Sequence, residues 1–383
     1  MTLSNFENLG IFGLSVTGFT FQYGTVTGTI GTSSGSTDAA IAFGRSNPGG
    51  SNGLFGTSTI DNCIVNNSIE HQLEFYNQSG SFNLTISNCD ITDNTAAFGS
   101  DGILSEMQGT ASATISVQNC FFDDNKSQAM QGAANDSSSM DVTVNNCTIT
   151  RSTQGNEGLV FSNGSNGDMT AHITNNTITG IGGVTIFVGQ TAGNATASSL
   201  LPAVISGNTI THPTTATNSA IIAFLTSCNG GVCPLQVAPA NILIQNNNVT
   251  QNSTGGVSRG IFVDTPDTGT TPGFTASVIG NTVSVGDNVA GVNGIALQSR
   301  RGAGCFDVRN NTVTFPNGTP AGVMGLRVRQ VAPGTAQLEQ GVSAGTASIV
   351  LAANNPGATT EVLGTVTVVA NNICANAPTK APD

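Results

Sequence analysis

Short apolar runs recur along the whole chain, with aliphatic side chains on alternate positions, as in Val142-Thr143-Val144 and Ile242-Leu243-Ile244. Alternation of period two and the dominance of β-branched residues predict strands and not helices. A second apolar run lies upstream of most of these: "QLEFY", "GILSE", "GLVFS", "VTIFV", "AIIAFL", "GIFVD", "GIALQ" and "GLRVR". No segment carries a convincing helical period, and the stretches between runs are rich in Gly, Asn and Ser. The expected unit is therefore two or three short strands joined by turns.

That unit repeats. The pattern [VI]-x-[NGA]-[NC]-x-[IVF] occurs ten times, from "IDNCIV" through "ITNNTI" to "VVANNI". Its fourth position is Cys63, Cys89, Cys120, Cys147, Asn176, Asn208, Asn247, Asn281, Asn311 and Asn371. The intervals run from 26 to 39 residues, except the last, which is 60 and leaves room for one degenerate rung. A fixed period of this size describes stacked coils, each adding one strand to each sheet. An Asn at one turn position can then bond to its equivalent about 4.8 Å away in the next coil, satisfying polar groups that stacking buries. Asn also tolerates the left-handed backbone such turns need. In the first half Cys occupies the same position as a small buried hydrophobe, expected as a stack of reduced thiols. A leucine-rich repeat also uses an Asn ladder, but its Leu framework is missing.

The expected fold is all-β, a right-handed parallel β-helix (β-solenoid) of about ten to twelve coils. Coils fill residues 1–330, and residues 331–383 form a degenerate last coil, a C-terminal cap and a tail, because "NNPGATTEV" breaks the pattern.

Composition narrows the partners. Only 8% of residues are charged, Gly numbers 48 and Trp is absent, giving the neutral, hydrogen-bonding surface common in secreted proteins. A net charge of −12 repels a phosphate backbone, so nucleic acid is not an expected partner. No apolar run is long enough for a membrane span. The start "MTLSNFENLGIFG" lacks the basic opening and cleavage site of a signal peptide and reads as a chain entered partway through its repeats. An extracellular or cell-surface location is expected, with the export signal upstream of Met1. These features carry no information on oligomeric state.

The phrase "NNTIT", the coil length and the stacked Asn resemble the right-handed parallel β-helix, or pectate-lyase-like, superfamily. "LSNFENLGIFGLSVTGFTF" and "NNPGATTEV" resemble large bacterial secreted or surface β-strand-repeat proteins, a class without a generally assigned activity. The resemblance implies the fold for most of the chain and leaves function open, since one scaffold hosts many activities.

β-Helix lyases and hydrolases imply an acidic Ca²⁺ cluster with a basic residue, or paired Asp. The adjacent pair Asp123-Asp124 follows a ladder turn, where a solvated loop is expected, and the hydrolase motifs Asn-Thr-Asp, Gly-His-Gly and Arg-Ile-Lys are absent. No catalytic residue is assigned. Six of the ten basic residues lie between Arg259 and Arg329. If the runs "GIFVD", "GIALQSR" and "GLRVR" are neighbours in one sheet, Asp264, Gln298, Arg300, Arg327 and Arg329 share its outer face, and Arg forks suit carboxylated sugars. The competing expectation is surface pairing of these Arg with Asp264, Asp267 and Asp307.

Glu70, His71, Glu74, Tyr76 and Glu106 form an acidic patch earlier on the same sheet, more simply a solvated face; no cofactor is implied, though Ca²⁺ is compatible with it. His172, in a strand, and His212, in a turn, lack a second His at ligand spacing, so zinc has no support.

Outward Thr pairs, such as Thr148/Thr150, Thr177/Thr179, Thr209/Thr211 and Thr312/Thr314, form rows like those of ice-binding solenoids, although Thr is also simply a good strand residue. Cys228 and Cys233 in "CNGGVC" are candidates for a loop disulfide, while Cys305 and Cys374 have no assigned state. The insertions 190–202, 226–240 and 264–274 are where a binding site would vary.

The expected function is an exported structural or adhesive module presenting an elongated surface, with polysaccharide or cell-surface glycan as partner. A lyase or hydrolase acting on acidic polysaccharide, and an ice-binding protein, are the alternatives.

Overall fold

The computed structural model describes residues 1–31, 39–44, 51–93, 101–151, 157–164, 166–191, 201–225, 240–252, 259–264, 273–286, 293–300, 303–316, 318, 323–332 and 334–374. Among the described residues three parallel sheets run side by side, with 13, 11 and 12 strands. The chain passes through them in a fixed order: sheet 1, a tight turn, sheet 2, a loop, sheet 3, a loop, and sheet 1 again. One turn comprises Ser81–Ser87, Asp90–Thr92 and Ile103–Met107, the next Ser112–Gln118, Phe121–Asp123 and Gln128–Ala134.

Among the described residues nine such turns are complete, from Leu54–Asp61 to Met324–Gln330, and each contains one of the first nine ladder positions. Shorter strands from Thr2 to Phe43 extend the sheets at the N-terminal end. The count is below the ten to twelve expected because the tenth phrase, at Asn371, does not open another coil.

The alternating pattern produces this directly. In sheet 2 each strand is only three or four residues long, its second residue inward and its first exposed or nearly so. Val65, Ile91, Phe122, Ile149, Ile178 and Ile210 thus stack into one interior column. Sheet 3 contributes Phe43 and Phe75, paired in register with ring centroids 6.3 Å apart and an interplanar angle of 6°. Stacking buries each apolar residue against the coils above and below, which an isolated repeat cannot do.

The left-handed backbone does not fall on the ladder residue. It falls on the residue before it: Asn62, Asn88, Asn119, Asn146, Asn175, Asn246 and Asn310, with φ between 51° and 57°, and Gly207 and Gly280 at 67°. Asn and Gly alternate there because they adopt this conformation at least cost.

At the C-terminal end helix α1, Ala347–Asn354, lies between a sheet 1 strand, Thr335–Glu339, and a sheet 3 strand, Thr360–Leu363, where a sheet 2 strand would otherwise stand. Its Ala347, Val350 and Leu351 join the core cluster and cover the open end of the stack. A disulfide between Cys305 and Cys374, with Cα atoms 5.2 Å apart, ties the end of this cap to the last complete turn.

Candidate functional site

The ladder is the first polar system to account for. Asn208 is typical: Nδ2 donates to the Ile173 carbonyl (2.9 Å) and to Asn247 Oδ1 (2.9 Å), while Oδ1 accepts from the Asn176 backbone N–H and Nδ2, both at 3.0 Å. All four bonding capacities of the amide are used inside the core. The same pattern runs through Asn176, Asn208, Asn247, Asn281 and Asn311.

It ends at Asn355, not at Asn371. Asn355 Oδ1 accepts from Asn311, and its Nδ2 donates to the carbonyls of Val308 and Leu351, the second within α1. Asn371 is exposed and pairs with the backbone of Gly341. The helix displaces the coil by most of a turn, so the recurring phrase at 368–373 arrives too late to meet Asn311.

Cys63, Cys89, Cys120 and Cys147 are free and buried. Each thiol points at the same acceptor the Asn amide uses one coil back; Cys120 Sγ lies 3.7 Å from the Ile86 carbonyl and Cys147 Sγ 3.8 Å from that of Val117. Hydrogen bonding from neighbouring thiols, with burial, pushes Cys89 up and Cys120 up to about 12, and burial raises Cys63. The bond with Cys120 lowers Cys147. This is a structural column.

Arg327 and Arg329 lie on sheet 3, and Arg259 and Arg300 flank its strands. Ile261–Asp264, Asn293–Ser299 and Met324–Gln330 are neighbouring strands, and Asp264, Gln298 and Arg329 are in one register row. Arg259, Gln298, Arg300, Arg329 and Val331 line an open depression of about 280 Å³. Asp264 is wholly buried beneath it and meets Arg300 Nη2 at 2.8 Å. Arg327, two residues from Arg329, shares the outer face as expected but bonds to Glu361 at 2.5 Å and does not line the depression.

Arg259 takes the place sequence reading gave to Arg327. Its guanidinium lies 4.1 Å from the Phe262 ring centre, and burial followed by the nearby arginines lowers its proton affinity, against the pull of Asp264. The clue available in sequence was only its position two residues before the strand. Arg309 pairs with Asp307 at 2.5 Å, on sheet 1. Arg259, Arg300 and Arg329 with Asp264 leave two net positive charges around the depression in a chain of net charge −12.

At the other end of sheet 3, Tyr76 and Glu106 are in register and Glu74 lies two residues from Tyr76, but Glu70 and Glu74 are buried, so the patch is not the solvated face expected. Tyr76 is buried, its hydroxyl donating to Gln108 at 3.0 Å and accepting from Gln78 at 2.9 Å. Burial pushes the Glu106 carboxyl up. His71 Nδ1 is 3.4 Å from Asp101, whose hydrogen bond and charge outweigh burial and raise the imidazole. Among the described residues no group of three or more His, Cys, Asp or Glu converges as a metal site.

Asp123 accepts from Thr150 Oγ1 at 2.5 Å at the end of a sheet 2 strand, and Asp124 follows with a φ of 52°, so this pair serves the turn. His172 is in sheet 1; His212 ends a sheet 2 strand, not a turn, with Nδ1 2.7 Å from Gln251 Oε1. Cys228, Cys233, Asp267 and most of the three insertions lie outside the described residues.

The family model described as "Right handed beta helix region" matches residues 9–201. No curated protein and no solved structure matches the chain. No helix among the described residues is long and apolar enough to cross a membrane.

Proposed function

As a chain that belongs to the right-handed β-helix family, this protein is an elongated β-helix module, and we propose that it is an exported, non-catalytic binding module whose sheet 3 grips acidic polysaccharide or cell-surface glycan. The observation that carries this reading is the depression formed by Arg259, Gln298, Arg300 and Arg329. Guanidinium forks bind carboxylates bidentately, and each charge-assisted bond contributes about 1.5–3 kcal/mol. The exposed Arg329 is the group a sugar carboxylate would reach first, and it has no ion-pair partner among the described residues. The Cys305–Cys374 disulfide supports export, because such bonds persist in oxidising compartments.

The test is affinity electrophoresis in polygalacturonate or alginate against a neutral glucan. Retardation only in the acidic gels, weakened about tenfold by Arg329→Ala, is expected; equal mobility in all gels would sink the reading. Depolymerisation in the same panel, read by unsaturated-product absorbance and reducing ends, would replace binding with catalysis.

A second reading rests on sheet 2. Thr148, Thr177 and Thr209, then Asn248, Thr282 and Thr312, form one outward row in register, and Thr150 to Thr314 form the parallel one, broken only by Ser284. Hydroxyls and methyls so placed repeat about every 4.8 Å along the axis and about 7 Å across it, a regular plane suited to ordered water at an ice surface. Unchanged ice growth at high protein concentration would rule this out.

A further inference from the structure

We propose that sheet 3 is also a self-docking surface, on which two copies of this chain pair face to face and antiparallel about a two-fold axis near its centre. The outward rows of sheets 1 and 2 are mainly Ser, Thr and Asn, the pattern of solvated sheet faces. The middle of sheet 3 departs from it. Val160, Phe187, Ile222 and Phe262 succeed one another in one register row, with Phe224 beside them, and all five are only half-buried. Contiguous outward apolar side chains of this kind mark a surface that is covered in use.

Charge identifies what covers it. Of the nine neighbouring strands from His71–Asn77 to Met324–Gln330, the second carries the half-buried Glu106 and the last the exposed Arg329, beside the net positive depression it shares with Arg259, Arg300 and Asp264, the apolar stretch lying between. Eight steps of about 4.8 Å separate the two ends by about 38 Å. A two-fold axis through the middle sets the acidic end of each copy over the basic end of the other and the apolar stretch over itself. Parallel stacking would oppose like charges, so the electrostatics select one orientation.

A contact about 38 Å long and about 14 Å wide buries on the order of 1,000 Å² in total, the lower limit for a specific interface, so pairing is reversible and weakened by salt. The inference rests on the reading that the arginine depression takes carboxylates; here Glu106 of a second copy supplies one, and an acidic saccharide competes with pairing.

The experiment is sedimentation equilibrium of the full chain at micromolar to millimolar concentration, in low and high salt. The wild type should show a salt-sensitive monomer–dimer equilibrium, and Arg329→Glu and Glu106→Arg should each weaken it about tenfold or more. An equimolar mixture of the two variants should dimerise again, because both end contacts then oppose unlike charges. Unchanged circular dichroism checks that each variant folds. Glu106→Arg should retain saccharide binding, so a monomeric wild type that binds saccharide overturns pairing alone, and a salt-sensitive dimer that binds none overturns the saccharide reading alone. Dimerisation unaffected by either charge reversal, or not restored in the mixture, also overturns the proposal.

Discussion

Replacing Asn247 by Ala removes four hydrogen bonds from the dry interior while changing no apolar contact of note. Asn247 is 1% exposed; its Oδ1 accepts from Asn208 N–H (3.0 Å) and Nδ2 (2.9 Å), and its Nδ2 donates to the Ile205 carbonyl (2.9 Å) and Asn281 Oδ1 (3.0 Å). Asn281 Oδ1 keeps the Asn247 backbone donor, so the main loss is two orphaned donors on Asn208 and one weakened carbonyl. At about 1–3 kcal/mol per buried unsatisfied group, the variant should lose about 4 kcal/mol.

Asn371→Ala is the control, since it carries the same phrase. Its two bonds to Gly341, at 2.7 and 3.0 Å, are exposed, water replaces them, and the cost should stay below about 1 kcal/mol. Asn247→Cys should fall between the two: a thiol can reach the Ile205 carbonyl, as Cys147 reaches Val117, but does not satisfy both Asn208 donors. Equilibrium urea unfolding gives the ranking. Amide exchange at Asn208 supplies a local readout, needed because a solenoid can open one coil at a time. Equal losses for the Ala variants at 247 and 371, or unchanged exchange at Asn208, would refute the ladder as a source of stability.

Three further outcomes are expected. Cys374→Ser opens a link spanning 69 residues, worth about 4 kcal/mol in chain entropy, and limited proteolysis should then cut within residues 340–374 before any cut in the coils. The thiols of Cys63, Cys89, Cys120 and Cys147 should resist a thiol-reactive dye in the native protein and react only on unfolding; rapid labelling of any of them without unfolding would contradict the buried column. Burial lowers His212 to about 4, so the unfolded chain binds the extra proton first as pH falls. Its contribution is complete above about pH 6.5 and is lost between there and about pH 4, by about 1.4 kcal/mol per pH unit, a slope that His212→Asn should flatten in urea titrations.

The coil was legible because its information is local and periodic. Alternation fixes which residues face inward, and a fixed phrase fixes one turn chemistry, so nine ladder positions and the apolar columns follow from residue types alone. What repetition does not encode is axial position. Asn355 and Asn371 both follow apolar strings, and only the replacement of a sheet 2 strand by α1 brings the first under Asn311 and leaves the second at the surface.

The arginines show the same limit laterally. Sequence grouped Asp264, Gln298, Arg300, Arg327 and Arg329, but Arg327 meets Glu361, 34 residues on, while Arg259 enters the depression from before its strand. The Cys305–Cys374 link likewise joins residues far apart in sequence. Such partners are chosen by distance across coils whose loops differ in length, and that length sets the stacking of charged side chains without leaving any periodic trace in the chain.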